Sequence, residues 1–252
     1  MLHEAIAEQL KIQGFTGMRH CFEEQMALKP DRPADALELL LDLLKSEASY
    51  RQTRSFAYRL KLAKLTHIKS LQDFDSTSLP LNPARFEQAK QLKFIGNHEN
   101  VLIVGGSGSG KSHLALGLAY HALQHQSRVR CFKFIDLARA LLNAEAHNFT
   151  ASWMNRLLNF HFIVIDEMGY VPIDPKASPL LFELLSNLYE KVSVLITTHL
   201  NFEEWAEVFG NTKMTRTIID RFTHHCLVLE TGNKSWRLKE GKKDENREGT
   251  KQ

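Results

Sequence analysis

A chain of 252 residues with 43% apolar and 24% charged side chains has the composition of a globular protein, which excludes wholesale disorder and collagen-like repeats. Its 32 Lys and Arg against 29 Asp and Glu leave a formal net charge of +3, a sum that says little about partners because it can hide an uneven distribution. The three cysteines are scattered without a CxxC pair, so neither a disulfide framework nor a zinc site is indicated, and no apolar run approaches the ~20 residues of a membrane helix.

The opening stretch, MLHEAIAEQL, carries acids and lacks a basic-then-apolar signal layout, so a reducing cytoplasm is the expected compartment. Leu2, Ile6 and Leu10 recur at helical spacing, and Gly14 and Gly17 mark a break before a second short helix that ends ahead of Pro30. Pro33 is placed to open a third helix. That helix runs without Pro or Gly from Ala34 to about Leu65, with Leu37, Leu40, Leu41 and Leu44 as its apolar face. The run from Asp73 to Pro83 is rich in Ser, Thr, Asp and Pro and reads as a linker.

Beyond it, short apolar runs alternate with helical stretches. Strands are expected at residues 100–104, 128–134, 160–165, 192–197 and 226–230, with helical patterns at 111–126 and 179–190 among the segments between them. This alternation predicts an α/β domain with a parallel sheet covered on both faces. Residues 239–252 contain no apolar side chain and are expected to be a disordered tail.

The strongest motif is Gly105-Gly106-Ser107-Gly108-Ser109-Gly110-Lys111-Ser112, a full match to G-x-x-x-x-G-K-[ST] between a predicted strand and a predicted helix. Glycines let backbone N–H groups approach phosphates, and the helix N-terminus adds partial positive charge. Lys111 is expected to neutralise the β- and γ-phosphates of ATP, and the Ser112 hydroxyl to serve Mg²⁺. Asp166-Glu167 directly follows the apolar run Phe162-Ile163-Val164-Ile165, at the strand end where open α/β sheets bind ligands. Asp166 is expected to hold Mg²⁺, and Glu167 to accept a proton from an attacking water. A metabolite kinase has less use for that second carboxylate.

Weaker signals follow. Ser193-Val194-Leu195-Ile196-Thr197-Thr198-His199 is a strand ending in polar groups, from which His199 or Thr198 could sense the γ-phosphate or simply cap the strand. Arg221, in Asp220-Arg221-Phe222, is either a surface ion-pair partner or a cation inserted into a neighbouring subunit's site, with Arg216 as its competitor. His224-His225 reads as a surface pair, because no further ligand flanks it in sequence.

The charge is indeed uneven. From Ala48 to Gln72 there are six basic residues and no acid: Arg51, Arg54, Arg59, Lys61, Lys64 and Lys69. At ~100° per residue, Arg51, Arg54, Lys61 and Lys64 fall within an arc of about 140°, with Tyr50, Phe56, Tyr58 and His67 interleaved. A solvated helix face is the commoner fate of such a run; the lack of acids favours a duplex-DNA backbone footprint.

Taken together, these segments resemble the IstB-like transposition helper ATPases, AAA+ proteins near the bacterial helicase loaders and initiators. The resemblance rests on RQTRSFAYRLKLAKLTHIKSLQDF (51–74), Phe94-Ile95 before Asn100-Val101-Leu102, the phosphate loop with His113-Leu114-Ala115, and Ile165-Asp166-Glu167-Met168-Gly169-Tyr170. It continues in Phe202-Glu203-Glu204-Trp205 with Val208-Phe209, Asp220-Arg221-Phe222-Thr223-His224-His225, and Ser235-Trp236-Arg237-Leu238-Lys239. It implies an AAA+ core with a five-stranded parallel sheet at 91–238, a helical DNA-binding domain at 1–75 and a linker at 76–90. It further implies ATP and Mg²⁺ as cofactors and a homo-oligomer with ATP at subunit interfaces, on duplex DNA at the bacterial nucleoid, beside a cognate transposase. Arg221 takes the arginine-finger position, and Arg237 that of a second sensor. The loop lacks the family's prolines and has Ser112 where the family has Thr. His199 stands where Asn is common, and Leu188-Tyr189-Glu190 where the family often has Arg-Tyr-Glu. A replicative helicase loader is the near alternative, and a non-hydrolysing adaptor a further one.

Overall fold

The computed structural model describes residues 2–28, 36–76, 79–210 and 212–232. The chain forms two compact units, Met1–Arg59 and Leu60–Gln252. Among the described residues no helix is long and apolar enough to cross a membrane. Pro33, Arg237 and the tail at 239–252 lie outside the described residues.

In the first unit, α1 (Leu2–Ile12) closes with the Gly14 and Phe15 N–H groups donating to the Lys11 and Leu10 carbonyls. The next helix, α2 (Thr16–Leu28), starts at once, so Gly17 lies inside its first turn rather than at a break. The reason is close packing against α3 (Ala36–Ala63): a Cβ on Gly17 would sit 2.6 Å from Tyr50 Cβ and 2.7 Å from the Ser46 carbonyl oxygen. Beside it, buried Glu47 accepts the Gly17 and Met18 N–H groups at 2.8 and 3.2 Å and caps α2. Among the described residues of this unit, the buried positions of α3 are Leu43 and Glu47. Leu40, Leu41 and Leu44, expected as the packed face, are each 50% exposed.

The second unit is a three-layer α/β structure. After α4 (Pro83–Lys90) and α5 (Lys93–Gly96) come β1 (Asn100–Gly105), α6 (Lys111–Gln124), β2 (Val129–Lys133), α7 (Phe134–Ala146), α8 (Thr150–Leu157) and β3 (Phe162–Met168). Then follow α9 (Ala177–Leu188), β4 (Ser193–Thr198), α10 (Trp205–Phe209), α11 (Thr212–His224) and β5 (Cys226–Gly232). Five parallel strands lie in the order β2-β3-β4-β1-β5. The central strands are continuous apolar runs because both faces are covered, β4 being buried throughout. One face packs Phe134, Leu137, Leu141, Leu181, Leu184, Trp205 and Phe222 into a single core.

The stretch expected as a linker at 76–90 is part of this unit. Asn82 caps α4 through its side chain, with Pro83 at the first helical position. Leu79, Leu81 and Phe86 are buried, and Phe74 packs between Phe86 and His113 at centroid distances of 5.8 and 5.4 Å. The division between units falls at Arg59, inside α3. A few apolar side chains set among Ser, Thr and Pro are enough to fasten an irregular segment onto the core.

Candidate nucleotide-binding site

The phosphate loop spans the end of β1 and the start of α6. Gly108 and Gly110 have φ of +73° and +90°, the left-handed region that a side chain disfavours, and this turns the loop into the helix. Ser107 is exposed at the tip. Beneath the loop, the hydroxyls of Ser109 and Thr231 share a 2.6 Å hydrogen bond, and the Gly106 N–H donates to the Gly232 carbonyl at 2.9 Å. β5 therefore braces the loop. The Lys111 ammonium donates to the carbonyls of Gly105 and Gly106 at 2.7 and 2.6 Å, and lies 5.5 Å from the Tyr170 ring centre.

Facing the loop, Asp166 Oδ1 accepts the Ser112 hydroxyl at 3.0 Å and the Thr197 hydroxyl from β4. Thr197 Oγ1 in turn accepts the Glu167 N–H at 2.9 Å. The β3–β4 register shifts between Ile165 and Met168, and Glu167 stands at this irregularity with φ +64°. Bulges re-aim side chains, and a non-glycine residue in the left-handed region stores strain of order 1–3 kcal/mol. Glu167 is thereby turned to the rim, where its carboxylate lies 3.0 Å from Lys133 Nζ at the end of β2. The Glu167 hydrogen bond, followed by its charge, holds the Lys133 ammonium above its ordinary value.

The structure thus brings together Gly105 to Ser112, Asp166 and Glu167, and adds three residues that the sequence did not single out: Lys133, Thr197 and Tyr170. His199 packs its ring on Tyr170 at 4.3 Å, while Thr198 donates to the Met168 carbonyl at 3.0 Å. Thr197, one position before Thr198 and two before His199, is the strand-end hydroxyl that meets the Asp166 carboxylate. Hard oxygen donors from Ser112 and Asp166 converge beside the loop, a donor set that suits Mg²⁺.

Arg221 stands elsewhere. Its guanidinium donates to Ser186 Oγ at 2.9 Å, and its helix ends just before Cys226, which pairs with Asn100 at the start of β1. The phosphate loop follows the other end of that six-residue strand, about 17 Å along it at 3.3 Å per residue. Arg216 lines a separate groove with Phe202, Glu203 and Asp220.

The basic run is also rearranged from an ideal helix. Arg51 donates to Glu47 at 2.7 Å and lies 5.4 Å from the Phe15 ring centre, and Arg59 donates to Ser55 at 2.6 Å. Arg54, Lys61 and Lys69 are exposed. Lys64 lies beyond the end of α3 with φ +50°, so the expected helical arc stops at Lys61. Arg130 closes that helix end by donating to the Leu62 carbonyl at 2.8 Å.

A phosphate loop ahead of a helix, with a carboxylate two strands away meeting its Ser hydroxyl, defines a P-loop nucleotide-binding protein with a parallel α/β core. The chain belongs to the IstB-like ATP-binding protein family, whose profile matches residues 5–244. It is 32% identical over 241 residues to a protein of insertion sequence IS21 from Pseudomonas aeruginosa named for ATP binding, covering 95% of this chain and 90% of that one. It is also 32% identical over 211 residues to the corresponding IS232 protein of Bacillus thuringiensis subsp. berliner, covering 83% and 84%. Among solved structures, AMPPCP-bound DnaA from Aquifex aeolicus shares the fold with a TM-score of 0.55 at 19% identity, over 67% of this chain. The chain spans about half the length of that structure, 51%.

Proposed function

We propose that this ATP-binding protein hydrolyses ATP with Mg²⁺ while assembled as a multimer on duplex DNA, and that it serves as the helper through which a transposase engages its target in the bacterial nucleoid. One observation carries the catalytic part: Asp166 Oδ1 is shared by Ser112 and Thr197, while the next residue, Glu167, is re-aimed by the bulge. A nucleotide-holding protein without turnover has no need of the second, strained carboxylate.

In this reading the loop N–H groups and Lys111 bind the phosphates, and the Ser112 hydroxyl and Asp166 hold Mg²⁺. When bound, the ion neutralises charge developing on the β- and γ-phosphate oxygens. Glu167 orients the attacking water and accepts its proton, which requires it to leave Lys133. Thr197 keeps Asp166 and the Glu167 backbone in register, and His199 acts on the site only through Tyr170. Arg221 is too far along β1 to serve its own loop, so it supports a finger supplied to a neighbouring copy. Arg54, Lys61, Lys64 and Lys69 provide the DNA-facing charge, with Arg51 and Arg59 partly committed to Glu47 and Ser55. The names of the two relatives, both tied to insertion sequences, favour a transposition helper over a helicase loader.

The test is phosphate release from ATP with Mg²⁺, with and without duplex DNA. Turnover that rises with DNA supports the reading, whereas ATP binding without turnover under both conditions contradicts it.

A further inference from the structure

We propose that Glu190, His224 and His225 form a binding site for a divalent transition-metal ion of the zinc class, at the end of the sheet where the strands begin, opposite the phosphate loop. In sequence the two histidines lack a third ligand; the fold supplies one from the turn between α9 and β4. One ligand atom from each of the three residues lies within 4.8 Å of the others.

The backbones that carry these donors are fixed although the side chains are exposed. His224 ends α11, and the His225 carbonyl accepts the Asn100 N–H at 2.8 Å, which ties it to the start of β1. Glu190 turns the chain with φ +55°, and the Lys191 and Val192 N–H groups that follow it both donate to the Leu188 carbonyl at 3.0 Å. The two imidazole rings are 4.2 Å apart at 70°. An ion about 2.1 Å from each donor needs them about 3.4 Å apart in a tetrahedral arrangement, within reach of side-chain rotation alone.

Two imidazoles and one carboxylate are a borderline nitrogen and oxygen set. It suits zinc and its neighbours, and not Mg²⁺ or Ca²⁺, which take oxygen ligands. The cations nearest in the chain are Arg221, one turn before His224, and Lys191, next to Glu190.

A bound ion would link the α9–β4 turn to the end of α11. The Arg221–Ser186 hydrogen bond already joins α9, which leads into that turn, to α11. The ion would therefore fix the helix end that presents Arg221, and with three protein donors it leaves a coordination position to water. The site does not depend on ATP hydrolysis, and its test is made without nucleotide.

The experiment is calorimetric titration of the tag-free, nucleotide-free full chain with zinc chloride, with thermal melting alongside. The expected result is one ion per chain and a raised Tm. His224→Ala and His225→Ala should each weaken binding by more than about tenfold, and Glu190→Gln should weaken it measurably, with metal-free melting unchanged. Cys226→Ser and Asp166→Asn should bind as the unaltered chain does. Absence of binding, affinity in either histidine variant equal to that of the unaltered chain, or loss of binding on Cys226→Ser or Asp166→Asn would each overturn the proposal.

Discussion

Lys133 Nζ lies 3.0 Å from Glu167 Oε2, so the carboxylate proposed to orient water is held by a cation from the neighbouring strand. Lys133 pairs with Asp166 in the β2–β3 register, which places its side chain next to the following residue on β3. Both side chains are more than two-fifths exposed, so the pair is worth at most about 1 kcal/mol.

If Glu167 must leave that pair to accept a proton, Lys133→Ala should raise DNA-independent turnover, but by no more than about fivefold, the rate equivalent of about 1 kcal/mol. Steady-state phosphate release checks this. A fall in turnover would mean that Lys133 assists the reaction instead.

Glu167→Gln keeps the size and the backbone of the residue while removing the proton acceptor. Turnover should fall about 10²- to 10⁴-fold with ATP binding retained, measured by phosphate release against nucleotide titration. Wild-type turnover in this variant would remove Glu167 from the chemistry.

Thr197→Val removes the hydroxyl that donates to Asp166 and accepts the Glu167 N–H. A buried N–H left without its partner costs about 1–3 kcal/mol, and this part-buried one falls toward the low end. Both Tm and turnover should fall, and the Mg²⁺ concentration for half-maximal turnover should rise. A Tm drop with unchanged Mg²⁺ dependence would make Thr197 purely structural.

Such a residue was hard to find in the sequence, and the reason is geometric. The apolar run at 162–165 and the phosphate-loop motif are local patterns, so β3 and Gly105 to Ser112 were legible directly. Which of Thr197, Thr198 and His199 faces Asp166 depends on the β3–β4 register and on the shift at Ile165 to Met168. Lys133 and Glu190 likewise gain their neighbours through segments distant in the chain. Leu79, Leu81 and Phe86 were hidden among linker-like residues, and Leu40, Leu41 and Leu44 showed a helical face without showing which face packs.

Glu47 makes the first unit sensitive to acid. Burial alone raises its carboxyl, but the hydrogen bonds from Arg51, Met18 and Gly17 outweigh this and hold it below the ordinary value. A depressed folded value contributes stability above the unfolded value of about 4.3, and that contribution is lost as pH falls through the folded one. Glu47→Gln should destabilise the α2–α3 packing by about 1–3 kcal/mol at neutral pH and flatten the acid limb. Helix melting by circular dichroism across that pH range reads both effects.

The proposed site is completed by a neighbouring copy, with Glu167 on one chain and Arg221 on the next. Glu167→Gln and Arg221→Ala should each be inactive alone, the latter by about 10³-fold or more with ATP binding intact. Mixed in equal amounts on duplex DNA, about a quarter of head-to-tail interfaces join an intact Glu167 to an intact Arg221. Phosphate release by the mixture should therefore recover to a sizeable fraction of the unaltered protein's rate. A mixture no more active than the sum of its two components would contradict the account.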